Sequence, residues 1–250
     1  MATEELPTSA GLPQEELRQA RHQVQQLQQQ LDGLLSSLSH DLRTPTMTIL
    51  GFTDLLATDL PQSAQNEALH QYLEHIRSSA NRQIVLIESL IELVRLSRQT
   101  MKMQDIDLSE CCLQVWHALP VTARERIVFD VDTTPLTRGD SVLLQLLLRV
   151  LLDNAVKFTR DVASPHIRFS ACEMNGNAGY SLTDDGVGFQ PENATRLFQP
   201  FRRLHSNKDY PGVGIGLATA ALIVRRHGGD ITAEARPNAG TTISFYLQSR

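Results

Sequence analysis

Ser39-His40-Asp41-Leu42-Arg43-Thr44-Pro45 sets an imidazole beside a carboxylate, with a hydroxyl one helical turn further on. An imidazole of ordinary pKa, ~6.5, is largely neutral near pH 7 and can act as a nucleophile. Asp41 could orient it or take a proton, although adjacent helical residues do not face each other and the carboxylate would have to reach. An isolated exposed histidine is far more often plain surface. Three other stretches carry chemistry of a different kind. Asn154 and Lys157 are three apart, so on a helix they share a face, offering an amide oxygen to a hard cation and an ammonium to phosphates. Asp184-Asp185-Gly186-Val187-Gly188 combines an acceptor for an amino group with glycines that permit close backbone approach to a flat ligand. Gly212-Val213-Gly214-Ile215-Gly216-Leu217 opens a helix, where free N–H groups and the dipole favour phosphate. Taken singly, each has an ordinary explanation: a polar helix end, a turn, a flexible loop.

The elements that would hold these residues fall into two parts. Residues 1–13 contain Pro7, Gly11 and Pro13 among small polar residues and read as a flexible tail. Residues 14–100 read as a coiled coil running into a helical hairpin. Leu17, Ala20, Val24, Leu27, Leu31, Leu34 and Leu38 recur at alternating spacings of three and four, a heptad seam that persists through the Gln-rich stretch from Gln23 to Gln30. Leu38 lies on that seam and His40, two residues on, is turned well off it toward solvent. Pro45 costs a helix interior roughly 3 kcal/mol and should bend it beside the imidazole. After a break at Leu60-Pro61-Gln62-Ser63, a second helix is expected over 66–98, with Leu69, Leu73, Ile76, Ala80, Ile84, Ile87, Ile91 and Val94 as its stripe. Two striped helices leave surface unburied, and pairing two hairpins into a four-helix bundle in a homodimer covers it.

Residues 101–250 change character. Helices are expected over 108–119, 140–158 (capped by Asp140 or Ser141) and 215–227, and strands over 127–131, 166–173, 179–183, 231–235 and 241–247. Asn175-Gly176-Asn177 marks a hairpin turn. This mixture predicts an α+β fold, helices layered on one face of a mainly antiparallel sheet.

Composition narrows the rest. In 250 residues, 41% hydrophobic and 20% charged content suit packed cores, and a net charge of -5 gives no reason to expect nucleic acid as a partner. Cys111, Cys112 and Cys172 lack metal-ligand spacing, so reduced thiols and a cytoplasmic setting are expected. The most apolar run, Val142 to Leu152, includes Gln145 and Arg149 and falls far short of the ~20 residues of a membrane span; no signal peptide is expected either.

In this order the motifs resemble those of the sensor histidine kinases. Ser39 to Pro45 is similar to the phosphoacceptor box, Leu151 to Phe158 to the asparagine box, Asp184 to Gly188 to the first glycine box, Leu197 to Arg202 to the phenylalanine box and Gly212 to Leu217 to the second glycine box. The ending, Gly228 through Thr242, is also similar. The resemblance implies an ATP-binding layered domain behind a dimeric phosphotransfer hairpin. His40 would take the γ-phosphate of ATP, with Asp41 as base, and pass it to an aspartate of a response regulator receiver domain. The box Asp41-Leu42-Arg43-Thr44 resembles the family's phosphatase signature, so Thr44 would position water against the regulator's aspartyl phosphate. Asn154 would hold Mg²⁺, Lys157 would meet phosphate and Asp184 would read the adenine amino group. Phe158, Gly186, Gly188, Phe201, Gly212, Gly214, Gly216, Leu217 and Thr242 would complete the nucleotide site. Phe198 and Phe201 would anchor a short lid from Arg203 to Pro211. Many relatives are membrane-anchored, so any sensing region is expected to be absent or on another chain. One departure stands out: a position usually held by Asn is Val150, expected on the phosphate side of its helix. That substitution keeps open a weak or inactive kinase acting as a scaffold or phosphatase. A plain ATPase of the gyrase or mismatch-repair kind is the other alternative, and the phosphoacceptor box speaks against it.

Overall fold

A computed structural model describes residues 41–42, 44–56, 67–98, 100–204, 210 and 213–248, with some side chains within the helices excepted. His40, the seam from Leu17 to Leu38, the expected break at 60–63 and Gly212 lie outside the described residues.

The first described element, α1, covers residues 41–56 except 43 and contains Pro45, which is buried. Helix α2, Glu67–Arg98, runs back along it. Gln83 Nε2 donates to Thr46 Oγ1 at 3.1 Å, and the Phe52 ring stacks on His75 at 4.7 Å. As one residue number rises the other falls, so the pair is an antiparallel hairpin. The expected stripe on α2 is not its buried side: Leu73, Ile84, Ile87 and Val94 are 42–52% exposed, whereas Leu86, Leu93 and Leu96 are buried. A helix this long meets different neighbours on different sides, and periodicity in the sequence does not say which side meets its own chain.

The rest is a layered α+β domain, as expected. Its elements are β1 (Met103–Asp107), α3 (Leu108–Ala118), α4 (Val121–Arg124), β2 (Val128–Val131), β3 (Leu136–Asp140) and α5 (Ser141–Phe158). There follow β4 (His166–Met174), β5 (Asn177–Asp184), a 3-10 turn over Pro191–Arg196, α6 (Gly216–Arg226), β6 (Asp230–Ala235) and β7 (Thr241–Tyr246). The main sheet has the order β2-β4-β5-β7-β6, parallel only between β2 and β4. Strands β1 and β3 form a separate antiparallel pair absent from the sequence reading. Both are short and polar, β1 is largely exposed and the buried positions of β3 are Thr137, Gly139 and Asp140, so neither shows the apolar alternation that announces a strand. The β4–β5 turn is as read: Asn175 and Gly176 take φ of 54° and 76°, the double left-handed pair a two-residue hairpin loop requires.

Helix α5 packs between α3 and α6 across the sheet. The Asp140 carboxylate caps it, accepting from the N–H groups of Val142 and Leu143 at 3.1 and 3.0 Å. His227, at the end of α6, ties the same corner together. Its Nδ1–H donates to the Ile223 carbonyl at 2.8 Å and its Nε2 accepts from the Asp140 N–H at 3.0 Å. That pairing requires the neutral ring, and burial holds its pKa below the usual histidine value.

With the folded pKa depressed, the unfolded chain takes up the proton first, so this contribution is full above pH ~6.5 and is lost as pH falls through the folded value. Thermal melts should therefore show stability falling below pH ~6.5, and His227→Gln, which keeps an acceptor but cannot charge, should flatten that part of the profile. An unchanged slope in the variant would rule out His227 as its source.

Candidate functional site

The burial of α5 leaves its last turn facing a cavity of about 310 Å³ between that helix, β5, β7 and the start of α6. Asn154, Lys157 and Phe158 supply one wall, Asp184 and Leu182 the strand side, and Gly214, Gly216 and Leu217 the loop that opens α6. Gly188 lines the cavity as well, so most of the residues singled out in the sequence come together here.

Asp184 is buried, and desolvation pushes its pKa up to about 6 despite hydrogen bonds from the backbone N–H groups of Gly186, at 2.9 Å, and Thr241. A buried carboxylate with unused acceptor capacity suits an amino group on a flat ligand. Gly186 does not line the cavity. Its role is close approach: a Cβ there would stand 2.5 Å from the Phe158 carbonyl oxygen and 2.8 Å from Asp184 Oδ1. Gly214 has φ +78°, and a Cβ would stand 2.7 Å from the Arg202 carbonyl oxygen.

Phe201 also stays off the cavity wall. It is buried, in the left-handed region at φ 62°, and its N–H donates to the Gly214 carbonyl at 2.8 Å. It therefore braces the glycine loop and does not face a ligand. Thr242 is a correction: it sits on the opposite side of the sheet, Oγ1 3.0 Å from Thr183 Oγ1, while its neighbour Thr241 lines the cavity. Side chains alternate along a strand, so a slip of one residue exchanges the two faces. Val150 is a second correction. It is half-buried against the core, does not line the cavity, and its Cγ1 lies 3.3 Å from where a Cβ on Gly216 would stand. It packs behind the glycine loop.

Several wall residues were not singled out as nucleotide contacts, although Arg203 and Tyr210 fall in the stretch read as a lid. Tyr210 is buried over the Phe158 ring at 5.0 Å, lies beneath the Arg160 guanidinium at 4.4 Å, and donates its hydroxyl to Asp161 at 3.1 Å. Arg203 Nη2 donates to the Tyr210 carbonyl at 2.6 Å. Ser89 of α2 reaches the cavity from the hairpin. Burial first, then the neighbouring charges of Arg203 and Arg160, holds the Lys157 pKa below its usual value. The cavity thus joins a buried carboxylate at one end to a group of cations at the other.

Within the phosphoacceptor box, Asp41 is half-buried and Thr44 exposed on α1. With His40 outside the described residues, the structure does not relate them to the acceptor.

A layered sheet with this cavity, carried behind a helical hairpin, defines the class. Residues 139–250 match the histidine kinase-, DNA gyrase B-, and HSP90-like ATPase family, and residues 30–99 match the His Kinase A (phospho-acceptor) domain. The chain belongs to the sensor histidine kinases, and the C-terminal part is their ATP-binding domain. It is 27% identical over 225 residues to the non-motile and phage-resistance protein of Caulobacter vibrioides, covering 86% of this chain and 27% of that protein. It is 26% identical over 249 residues to the cell-division control histidine kinase PdhS of Brucella anthropi, covering 93% and 23%. The chain thus spans about a quarter of the length of these curated relatives. Among solved structures, the mycobacterial sensor histidine kinase MprB aligns at 28% identity and a TM-score of 0.51, over 60% of this chain and 99% of that one. Histidine kinase ThkA, solved in complex with response regulator protein TrrA, shares the fold at 20% identity and a TM-score of 0.61, over 94% and 66%. Among the described residues no helix is long and apolar enough to cross a membrane.

With the Asp184 pKa near 6 and only the ionised form fully able to accept, ATP affinity should be flat above pH ~7 and fall as pH drops below about 6. Asp184→Asn should lose most ATP binding at every pH, because its amide presents a donor beside the ligand's own. Thr242→Val, on the outer face, should keep affinity within about twofold of wild type. Titration calorimetry of the three proteins checks all of this, and a large loss in Thr242→Val would return that residue to the site.

Proposed function

We propose that the chain is an ATP-dependent protein-histidine kinase that phosphorylates itself on His40 and passes the group to an aspartate of a response regulator receiver domain. The observation that carries this reading is the meeting of hairpin and cavity: the helix after the phosphoacceptor box reaches the nucleotide cavity through Ser89.

In the forward step the lone-pair nitrogen of neutral His40 attacks the γ-phosphorus. The N–P bond forms, the bond from γ-phosphorus to the β,γ-bridging oxygen breaks, and ADP leaves with that electron pair. The proton on the other ring nitrogen passes to Asp41. The α6 N-terminus and Lys157 stabilise charge on the phosphates, and Asp184 fixes the adenine. Asn154 fits an Mg²⁺ site. Among the described residues no group of three or more His, Cys, Asp or Glu could hold a metal. A cation here must therefore take most ligands from phosphates and water, as Mg²⁺ does. When bound, Mg²⁺ offsets charge on the phosphate oxygens. Thr44 serves the reverse, regulator-directed phosphatase reaction by positioning water. A receiver domain as partner agrees with the fold shared with ThkA, a kinase solved in complex with a response regulator protein.

The hairpin is the dimer interface in this reading. The exposed Leu73, Ile84, Ile87 and Val94 line one side of α2, and Met47 and Leu50 are exposed on α1, the uncovered apolar surface a second hairpin would bury.

Incubation with Mg·ATP labelled in the γ-phosphate should give label that is lost in acid and kept in base, and His40→Gln should bind ATP yet retain none. Free phosphate alone would indicate an ATPase, and no turnover a scaffold. In the same assay with a labelled regulator, Thr44→Ala should slow dephosphorylation while autophosphorylation stays near normal. An equal loss of both would assign Thr44 to helix integrity instead. A fragment of residues 14–100 should sediment as a dimer at micromolar concentration; a folded monomer would defeat the bundle.

A further inference from the structure

Tyr210 is held from behind the cavity wall. Its hydroxyl donates to Asp161 at 3.1 Å, and the Arg160 guanidinium lies over its ring at 4.4 Å. Its carbonyl accepts from Arg203 Nη2 at 2.6 Å. The residue is buried, yet Tyr210 lines the cavity while Arg160 and Asp161 do not. The side of the ring toward Arg160 is therefore turned from the cavity, and its other side contributes to the wall. Hydroxyl and carbonyl are both directed to the protein, so what the ring offers the cavity is flat apolar surface.

Flat surface is also what the cavity needs between its two ends. Phe158, whose ring meets that of Tyr210 at 5.0 Å and a 45° tilt, connects those ends. Its carbonyl accepts from the Val187 N–H at 3.2 Å, in the loop that follows Asp184, and its ring lies beneath Lys157 Nζ at 4.9 Å. The two rings thus stand between the buried carboxylate and the cations. They are tilted, not stacked on each other, so they form a corner and do not cover one another. In a nucleotide held by an amino group at one end and phosphates at the other, the part between is the purine ring and the ribose. Neither carries charge, and both have apolar faces. Stacking is the contact such a part makes with an aromatic side chain whose hydroxyl is already bonded elsewhere.

We infer that Tyr210 is a nucleotide-contacting residue: the side of its ring away from Arg160 packs on the nucleoside half of the bound nucleotide, and with Phe158 it forms an aromatic corner around that half. The inference rests on the nucleotide reading above and adds to it a contact indifferent to the number of phosphates. It assigns to Tyr210 a share of the affinity that ATP and ADP have in common.

Two measurements on the full chain test it. In protein deuterated except at its tyrosine rings, saturating the ring protons should transfer magnetisation to the base and ribose protons of Mg·ATP. Of the four tyrosines only Tyr210 lines the cavity. Tyr210→Phe, which keeps the ring and loses its protons, should therefore abolish the transfer while binding ATP within about threefold of wild type. In calorimetric titrations Tyr210→Leu should weaken Mg·ATP and Mg·ADP by the same factor, about tenfold, as expected for losing one stacked ring. Asp161→Ala, which removes only the hydroxyl's partner behind the wall, should bind both within about threefold of wild type. No transfer in the wild type, or transfer that survives in Tyr210→Phe, would overturn the assignment while leaving the nucleotide site intact. So would wild-type affinity in Tyr210→Leu, a loss there confined to ATP, or an equal loss in Asp161→Ala, which would make Tyr210 a brace for its loop. Failure of the wild type to bind either nucleotide would overturn the nucleotide reading, and this assignment with it.

Discussion

The burial of α5 is the constraint on which the rest depends. Leu143, Leu144, Leu147, Leu148, Leu151 and Leu152 are each exposed by 1% or less. Burying a leucine contributes ~1.5–3 kcal/mol, so the helix is held in translation and rotation by a sum no single polar contact could match. Its polar last turn is thereby aimed without any hydrogen bond of its own having to aim it. Asn154 and Lys157 point into the cavity because the leucines before them cannot point anywhere but the core. The Asp140 cap and the His227 ring then lock the start of α5 to the end of α6, whose own start forms the opposite wall. Register in the cavity is set by packing at a distance from it.

Desolvation does the second part of the work, and it acts with opposite sign at the two ends. Burial raises the Asp184 pKa to about 6 and lowers those of Lys157 and Arg203, in each case penalising the charged form. A ligand bearing an amino group at one end and phosphates at the other relieves both penalties at once. Tyr210 adds to the burial at the cation side by covering the Phe158 ring and lying beneath Arg160. The pattern, a buried carboxylate at one end and cations at the other, matches an adenine nucleotide, so selectivity is partly stored in the fold.

Much of this was legible in residue order. Asn175-Gly176 gave a tight turn because only residues tolerant of left-handed backbone close a two-residue hairpin, and the leucine run marked α5 because nothing else in the chain is so uniformly apolar. Other features were not legible, for identifiable reasons. Thr241 and Thr242 are chemically identical, and only strand register says which faces the helices. Phe201 looked like a ligand contact, yet its strained backbone holds the glycine loop. Val150 occupies a helix position that periodicity alone assigns to the phosphate side, and the approach of Gly216 turns it into packing. Ser89 comes from a helix remote in sequence, and a wall assembled that way leaves no local motif.

Helix α2 shows how one element can serve two interfaces. At 100° per residue, Ser89 and Leu96 centre on a direction about 170° from that of Leu73, Ile84, Ile87 and Val94. The first set faces the ATP-binding domain and the second is exposed. The side toward α1 lies between them, where Gln83 reaches Thr46. Because the two outer faces are opposed, a second hairpin can cover the apolar side without displacing the ATP-binding domain. Any rotation of α2 that repacked the apolar side would also turn Ser89 relative to the cavity. A helix built in this way converts a change in bundle packing into a change in the cavity wall. The coupling is geometric: it needs no contact between the bundle's apolar seam and the nucleotide, only the rigidity of the helix that carries both.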